Sequence, residues 1–441
     1  MSIRSAAEAS APATAGLLAR LGADGAARGQ LALGAILVIV SIVAPVWLGS
    51  AYWSHNFLIV NLFVTVAVLQ NMLLSDAGQV SFGQGAVFGL AAYTTGIVAG
   101  LWGQSYVLGA LAGLGAAVVL GLLFALPALR VQGYYLGFVT LSAAVVFPEF
   151  LVAFNDVTNG INGISRAVPD LVGPAVLGVS WIAILVMALT IGALAAHAAF
   201  RASRLGRQMR VAAVSPEAAM TLGVSPGGMR FLAFTAAAVG TGLAGVLYVP
   251  VLGFVSPYAF KVELSIYFFF AVIVGGQGRL IGPVIGAWIL YLVPNALLVD
   301  LANYRLLGYG IVALLIMLAF PDGIVGSIEK ALHRYRMRTR VADITVEPLL
   351  AAAPPAPARS GSGAPVVVVE GARKTYGSLA ALDGVALSVA PGTIHGLVGP
   401  NGSGKTTLLN VVSGLIRLDA GTVTVKGRTT TRAGAHATSR L

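Results

Sequence analysis

Cysteine is absent from this 441-residue sequence, and charged residues make up only 10% of it. The lack of cysteine excludes disulfides, thiolate metal sites and cysteine nucleophiles, and it leaves the redox compartment open. The scarcity of charge argues against an ordinary soluble domain, in which about a quarter of the residues are charged. Because 57% of the residues are hydrophobic and apolar runs of about 20 residues recur, the sequence predicts a polytopic membrane protein.

A metal site and a nucleic-acid partner are also not predicted. The five histidines are scattered along the chain and do not form a ligand pattern. The net charge is +11, but Arg and Lys cluster between or after apolar runs, as topology signals do. A nucleic-acid-binding surface interleaves basic residues with aromatic ones on a soluble face, and no such patch is present.

Ten membrane spans are predicted from the apolar runs, with ends set to within a few residues. Residues 1–29, rich in Ala, Gly and Ser, are predicted to form a disordered cytoplasmic tail, with a cleaved signal peptide as the alternative. The eighth and tenth runs are short for a crossing of about 20 residues, so we expect tilted, broken or longer helices there. The predicted spans are 31–49, 56–74, 83–101, 105–126, 134–153, 176–199, 230–252, 264–276, 282–299 and 306–320.

Positive charge is unevenly divided between the two sides of the predicted spans. One side holds the two basic segments that follow the sixth and the tenth spans. The opposite side holds only Arg166, Lys261 and Arg305. By the positive-inside rule both termini are then cytoplasmic, which agrees with an even number of spans, and the 154–175 loop faces outward. The basic residues after the sixth and tenth spans are Arg201, Arg204, Arg207, Arg210 and Arg230, and Lys330, Arg334, Arg336, Arg338 and Arg340.

The composition changes after the last predicted span. Residues 331–365 form a basic segment and then a Pro-, Gly- and Ser-rich stretch, which predicts a flexible linker. Residues 366–441 have the pattern of a soluble α/β domain. Strands are predicted at 366–369, 385–390, 393–398 and 421–426, and a helix is predicted over 405–415.

A phosphate-binding loop follows the third of these strands and fits the pattern G-x-x-x-x-G-K-[ST]. Glycines let successive backbone N–H groups turn toward phosphate oxygens, and the helix beginning near Lys405 directs its N-terminal dipole at them. Lys405 reaches the β- and γ-phosphates, and Thr406 places its hydroxyl on Mg²⁺. ATP and Mg²⁺ are thus the predicted cofactors, with Gly399, Asn401, Gly402, Ser403, Gly404, Lys405, Thr406 and Thr407 as the binding residues.

The predicted fold class is an all-α polytopic membrane domain over 30–330, with about ten transmembrane helices, followed by a partial α/β P-loop NTPase domain over 366–441. A substrate path through the membrane domain is sought among polar side chains of the spans, because ionisable groups there are energetically costly and often functional. The candidates are Gln79, Ser81, Gln84 and Glu149; solvation at a span end is the alternative for Glu149.

Several stretches of this sequence, in the membrane domain and in the P-loop domain, resemble one family of transporters. Residues 382–414 resemble the ATPase subunit of branched-chain amino-acid ABC importers, and residues 30–330 resemble the matching permease. The chain departs from the commonest family form at Gln84, where His is usual, and at Asp76, where an aromatic is frequent. The resemblance makes branched-chain amino acids the leading substrates, with urea, short amides and aromatic acids as alternatives. The stretches that carry the permease resemblance are 76–93, 126–135, 159–164 and 253–287.

The resemblance implies a multi-pass importer subunit of the bacterial inner membrane. It implies a second, related permease subunit, complete ATPase subunits, an extracytoplasmic solute-binding protein, a small-molecule substrate and membrane lipid as partners. It also implies that Tyr376 stacks on adenine. Glu217, Ala218, Ala219 and Gly223 match the coupling motif, a short helix that docks into a groove on the ATPase.

Other elements of an ABC ATPase are not recognisable in this sequence. They are the glutamine loop, the LSGGQ-type signature, the strand ending in Asp-Glu and the switch histidine. We therefore expect a truncation or a frameshift near residue 428 and no ATP hydrolysis by this chain alone. A permease with an inert ATPase remnant, served by a separate ATPase subunit, is one alternative, and a secondary transporter or channel is another.

Overall fold

The computed structural model describes residues 25–438, apart from positions 132, 166–173, 177–178, 298–304, 332–363 and 378. The chain divides into two compact units, Met1–Thr339 and Arg340–Leu441, which are described separately. Nearly all of the predicted linker and the first 24 residues of the predicted tail lie outside the described residues.

The described part of the first unit is almost entirely helical. π-helical turns extend α2 as far as Asp76 and α3 as far as Leu101. The principal helices are α1 Gly25–Trp47, α2 Ala51–Asn71, α3 Gln84–Gly96, α4 Tyr106–Ala128, α5 Tyr134–Ala153, α6 Trp181–Ala202, α7 Arg204–Val214, α8 Pro216–Thr221, α9 Pro226–Leu252, α10 Val262–Gly275, α11 Gly282–Leu297 and α12 Arg305–Ala319. Further helical residues lie at Asn155–Thr158 and at 323–331. Short strands β1 Ile164–Ser165, β2 Pro174–Val176, β3 Val179–Ser180 and β4 Phe254–Val255 pair antiparallel as β1 with β4 and β2 with β3.

The apolar helices coincide with the ten predicted spans. Among the described residues, 9 helices are long and apolar enough to cross a membrane, and Gly282–Pro294 is a shorter apolar helix. The eighth and tenth crossings are longer than the short apolar runs, as expected, because the eighth begins at Pro257 and the tenth runs to Ala331. The tail prediction is wrong over residues 25–29, which belong to α1. An all-α membrane domain is confirmed.

Helix α2 occupies the centre of this unit and packs against α1, α6, α9, α10 and α11. The core beside α2 contains an aromatic cluster in which Phe63, Phe88 and Tyr248 meet mostly edge to face. The ring centroids of Phe88 and Tyr248 are 5.1 Å apart, a favourable geometry for aromatic quadrupoles. Peripheral helices instead expose apolar side chains, such as Leu111, which is 63% exposed. This distribution fits a bundle that is surrounded by lipid.

Glycines allow α9 to approach α3 and α4 closely. A Cβ added to Gly245 would clash with the carbonyl oxygen of Phe88 and lie 2.9 Å from the Cβ of Ala91. Small residues at helix contacts are a main source of packing energy in membranes, since lipid removes the hydrophobic driving force between helices. Gly115, by contrast, has no heavy atom within 4 Å of such a Cβ.

We predict opposite effects for alanine at these two glycines. Gly245→Ala should lower the free energy of unfolding by about 1–3 kcal/mol, because a methyl group is forced against backbone. Gly115→Ala should leave it unchanged or raise it by about 0.5–1 kcal/mol through helix propensity alone. Unfolding of both variants in mixed micelles, followed by tryptophan fluorescence, measures the difference; equal stability of the two would contradict the close approach.

The described part of the second unit is an antiparallel sheet with one eight-residue helix and a short helix, Ala435–Thr438. Strands β5 Val367–Tyr376, β6 Leu379–Val389, β7 Ala420–Val425 and β8 Arg428–Thr429 are arranged in the order β6-β5-β7-β8. Helix α13, Lys405–Val412, covers the sheet and begins where predicted but ends earlier. The hydrophobic core between α13 and the sheet consists of Val369, Ala372, Leu382, Leu408, Val411 and Val423.

The predicted strand at 393–398 is wrong. These residues have no regular structure, and Ile394 and Val398 are 101% and 92% exposed. A strand is stable only when a neighbour satisfies its backbone N–H and C=O groups. No strand of the described residues pairs with this segment, so its apolar sequence alone does not produce a strand. The other three predicted strands are confirmed and are longer than, or shifted slightly from, the predicted bounds.

Candidate functional site

The connection between α2 and α3 is an unwound segment, residues 77–83, which is mostly buried in the first unit and exposed at Gly78. Non-helical backbone is tolerated at membrane depth only where protein or a cavity satisfies it. Here side chains do so: Gln70 Nε2 donates to the carbonyl oxygen of Ser81 at 2.9 Å. The N–H of Phe82 donates to Thr140 Oγ1, also at 2.9 Å. Polar side chains from α2 and α5 therefore hold the unwound backbone of this segment in place.

Three of the four predicted path residues meet at this break. Gln79, Ser81 and Gln84 are 4%, 1% and 2% exposed. Gln84 Oε1 accepts a hydrogen bond from Thr241 Oγ1 at 2.7 Å, which ties the start of α3 to α9. Glu149 is not part of the group, because it is exposed on α5. The alternative of a solvated or surface position therefore fits Glu149 better than a place on a path with the other three.

Sequence reasoning missed the partners of these residues. Gln70, Thr140, Thr241 and Ser265 are buried, and Ser265 Oγ accepts the N–H of Gly85 at 3.1 Å. The available signal was weak but present, since each is an isolated polar side chain within an apolar run. The amide oxygens of Gln70 and Gln79 are buried without a hydrogen-bond partner among the described residues.

An ion cluster surrounds Asp76, at the end of the π-helical turn of α2. The carboxylate is fully buried, and its Oδ2 lies 2.7 Å from His197 Nε2. Its Oδ1 lies 3.2 Å from Arg201 Nε and 3.4 Å from Arg210 Nη1. Arg201 also donates to the carbonyl oxygen of Gly278. One carboxylate thus joins α2, α6, α7 and the loop after α10.

This cluster was not predicted from the sequence. Asp76 stood out only as a departure from the family pattern, and His197 only as one of several scattered histidines. The two residues are 121 positions apart, so no local spacing brings them together. A usable signal was that both are ionisable and lie in apolar spans, where such groups are usually paired.

The predicted coupling motif forms helix α8, a single exposed turn and a half. Ser215 caps it by accepting the N–H of Ala218, and Pro216 occupies the first turn, where its missing donor does no harm. Glu217 and Ala218 are exposed, and Ala219 is buried. The backbone φ of Gly223 is +77°, which favours glycine at this helix end. The exposed apolar side chains around α8 are Val214, Met220 and Leu222, at 88%, 58% and 73%.

The predicted phosphate-binding loop contains two glycines with left-handed backbone. Gly402 and Gly404 have φ of +88° and +82°, and a Cβ at Gly404 would clash with the carbonyl oxygen of Ala381. Lys405 Nζ donates to the carbonyl oxygens of Gly399 and Pro400 at 2.8 and 2.5 Å. Asn401, Ser403 and Thr406 are exposed beside α13, and Thr407 is half-buried. Phosphate fits this loop, because a cation, a helix N-terminus and side-chain hydroxyls converge on one exposed face.

Tyr376 lies at the end of β5 and is 47% exposed. It pairs with Leu379 at the turn into β6, the strand that contains Ala381. The ring and the phosphate-binding loop are therefore at the same end of this hairpin. Lys374 Nζ is 5.7 Å from the ring centroid. Hydrogen bonds from Lys374 and Thr375 lower the pKa of Asp419 to about 2. Through the same hydrogen bonds the carboxylate of Asp419 anchors this end of β5.

The first unit has the architecture of a multi-pass membrane transport protein. Its apolar helices surround the unwound segment between α2 and α3 and the polar side chains beside it. Residues 54–320 match the family model described as branched-chain amino acid transport system / permease component. This chain belongs to that family. Residues 382–440 match the ABC transporter family model. The predicted fold class and the predicted permease resemblance are confirmed.

Relatives of the two parts differ in how much they cover. The high-affinity branched-chain amino acid transport system permease protein LivM of Escherichia coli K12 is 28% identical over 293 residues, which cover 60% of this chain and 68% of the relative. Daunorubicin resistance ATP-binding protein DrrA3 of Streptomyces coeruleorubidus is 54% identical over 66 residues, 15% of this chain and 21% of the relative. Ribose import ATP-binding protein RbsA of Pseudomonas putida is 50% identical over 64 residues, 14% of this chain and 12% of the relative.

The chain thus spans about a fifth or less of these ATP-binding relatives. Their names refer to drug resistance and to sugar import, so this part of the chain carries no information about the substrate. The ABC transporter match implies nucleotide binding, and the permease match implies ATPase partners and a transported solute.

Proposed function

We propose that this chain is the permease component of an ATP-driven importer for branched-chain amino acids in the bacterial inner membrane. The observation that carries the proposal is the permease family match over residues 54–320, which includes the polar break between α2 and α3. Gln79 and Ser81 on the unwound backbone and Gln84 in the first turn of α3 line the path of the solute there, because they are buried polar groups inside the membrane unit. The E. coli relative is named as a permease for the same class of substrate.

Complete ATPase subunits, a second and related permease, and a solute-binding protein are the proposed partners. Helix α8 docks on an ATPase subunit through Glu217 and the apolar side chains of Met220 and Leu222, which nothing covers among the described residues. Closure of the ATPases on ATP displaces α8 and, with it, α7. Since Arg210 of α7 contacts Asp76, the displacement reaches the end of α2, next to the break.

Within the second unit, ATP is held by the phosphate-binding loop. Lys405 would neutralise the β- and γ-phosphates, and Thr406 would place its hydroxyl on Mg²⁺. Tyr376 would stack on adenine, supported by its exposure at the same end of the β5–β6 hairpin. The free energy of transport comes from ATP hydrolysis on the complete ATPase subunits.

Reconstitution tests this function. The chain, its partner permease, the ATPase subunits and the binding protein are placed in proteoliposomes with ATP inside, and radiolabelled leucine is added outside. Uptake should require both the binding protein and ATP and should resist a protonophore. ATP-independent uptake that the protonophore abolishes would instead establish a secondary transporter. Competition by urea, acetamide or benzoate distinguishes the alternative substrates.

The orientation gives a separate prediction that exploits the absence of cysteine. Ile161 lies before β1 and is 62% exposed, and Gln208 is exposed on α7. In intact spheroplasts, Ile161→Cys should react with an impermeant maleimide, whereas Gln208→Cys should react only after permeabilisation. Mass-tagged maleimide on a gel measures the extent of labelling. The reverse pattern would overturn the cytoplasmic assignment of both termini and of α8.

A further inference from the structure

A cavity of about 340 Å³ lies at the foot of the coupling segment. It is an open cleft bounded by the unwound segment after α2, by the start of α5, by α7, by the first residue of α8 and by the first turns of α9. Its lining includes Gly78, Gln79, Ala212, Ala213, Pro216 and Arg230. The cavity shares Gln79 with the proposed solute path, but no residue of the Gln84–Thr241 contact or of the Asp76 cluster lines it.

Arg230 is a buried cation without a carboxylate partner among the described residues. It is 5% exposed, and the contact found for its guanidinium is from Nη1 to the carbonyl oxygen of Ala128, at 3.3 Å. A guanidinium carries five N–H donors, and a buried charge is stable only when it is paired. Arg230 therefore leaves donors and positive charge for an anion in the cavity.

Gln79 supplies the complementary group. Its Nε2 donates to the carbonyl oxygens of Ala77 and Gly78, each at 3.1 Å. Its Oε1 is buried away from solvent and accepts no hydrogen bond among the described residues, so the amide group must turn before this oxygen faces the cavity. An unused acceptor of this kind favours a donor such as an ammonium group. The remaining wall is mostly apolar and is formed by Gly133, Tyr135, Ala212, Ala213 and Pro216.

We propose that this cavity binds the transported amino acid from the cytoplasmic side and that its occupancy slows further import. The carboxylate pairs with Arg230, the α-ammonium group donates to Gln79 Oε1, and the aliphatic side chain contacts Ala212 and Ala213. The occupant then lies between the α7–α8 segment and α9 and fixes their separation, which must change when the ATPases move α8. This inference rests on the proposed function for the identity of the ligand.

Binding is tested first on the purified full-length chain, by the thermal shift that each probe produces. L-leucine should stabilise the protein at concentrations about tenfold lower than leucinol, which lacks the carboxylate, or 4-methylpentanoate, which lacks the ammonium group. Equal stabilisation by 4-methylpentanoate or by inorganic phosphate would show an anion site only and overturn the amino-acid assignment. No saturable effect of leucine would overturn the proposal altogether.

Variants then locate the site. Arg230→Gln and Gln79→Leu should each weaken the response to leucine about tenfold or more, since each removes one recognition group. Two independent variants guard against a folding defect in either. Arg207→Gln is the matched control, because Arg207 is exposed on α7 and does not line the cavity. An unchanged leucine response in both Arg230→Gln and Gln79→Leu would show that binding occurs elsewhere.

The regulatory part is measured in the reconstituted importer, as the ratio of uptake into vesicles preloaded with leucine to uptake into vesicles preloaded with leucinol. We expect a ratio well below one for the wild type and for Arg207→Gln, and a ratio near one for Arg230→Gln. A wild-type ratio of one with normal leucine uptake would refute the regulation and leave the proposed function intact. Absence of leucine uptake under all conditions would refute the proposed function, while the binding test with the purified chain still decides the cavity.

Discussion

Asp76→Ala is expected to destabilise the membrane unit by about 3 kcal/mol or more, because it leaves several cationic or hydrogen-bonding groups without their shared partner. His197 is 3% exposed and loses its contact with a carboxylate at 2.7 Å. The side chains of Arg201 and Arg210 are 28% and 33% exposed, so water compensates part of their loss. For this reason we expect the lower end of the range of about 3–5 kcal/mol for broken buried pairs.

The control for Asp76→Ala is an exposed pair of the same chemistry. Lys330 Nζ lies 2.6 Å from Asp322 Oδ2, with the two side chains 58% and 38% exposed. Asp322→Ala should therefore change stability by only about 0–1 kcal/mol. Both variants are unfolded with SDS in mixed micelles and compared with the wild type. Similar effects of the two substitutions would show that Asp76 does not hold the cluster together, and leucine uptake by Asp76→Ala should be lost in parallel with its stability.

Glu217→Lys is expected to abolish transport without unfolding the chain. Glu217 is exposed in the first turn of α8, so the substitution should change the stability of the isolated chain by no more than about 0.5 kcal/mol. It is also the only acidic residue between positions 200 and 230. Loss of a charged contact at the centre of an interface costs about 2–5 kcal/mol, which corresponds to a decrease of about thirtyfold or more in affinity for the ATPase subunit.

The measurement is retention of the ATPase subunits on the tagged chain, together with leucine uptake by the reconstituted complex. Gln208→Lys is the matched control, since it adds positive charge at another exposed position of the same segment. It should retain most of the binding and uptake. Normal uptake by Glu217→Lys, or an equal loss in Gln208→Lys, would contradict the assignment of α8 as the docking helix.

Elements whose residues are consecutive could be predicted from the sequence. The membrane spans were found because a chain in lipid must satisfy its backbone internally over about 20 apolar residues, which leaves a plain record in the sequence. The phosphate-binding loop and α8 were found for a similar reason, since Gly404, Lys405, Ser215 and Pro216 act on neighbouring backbone groups. The limits of α1 and α6 were less accurate, because a helix end is set by a few capping contacts and not by composition.

Only the tertiary structure decided which polar side chains meet inside the membrane unit. Asp76 and Arg210 are 134 positions apart, and Gln84 and Thr241 are 157 apart. Lipid makes the outer faces of the spans as apolar as the inner ones, so the sequence contains little periodicity that shows which face of a helix points inward. The cavity beside Arg230 and the missing strand at 393–398 have the same origin. Each depends on what distant segments place next to it, and this is fixed by packing and by hydrogen-bond partners that no local pattern specifies.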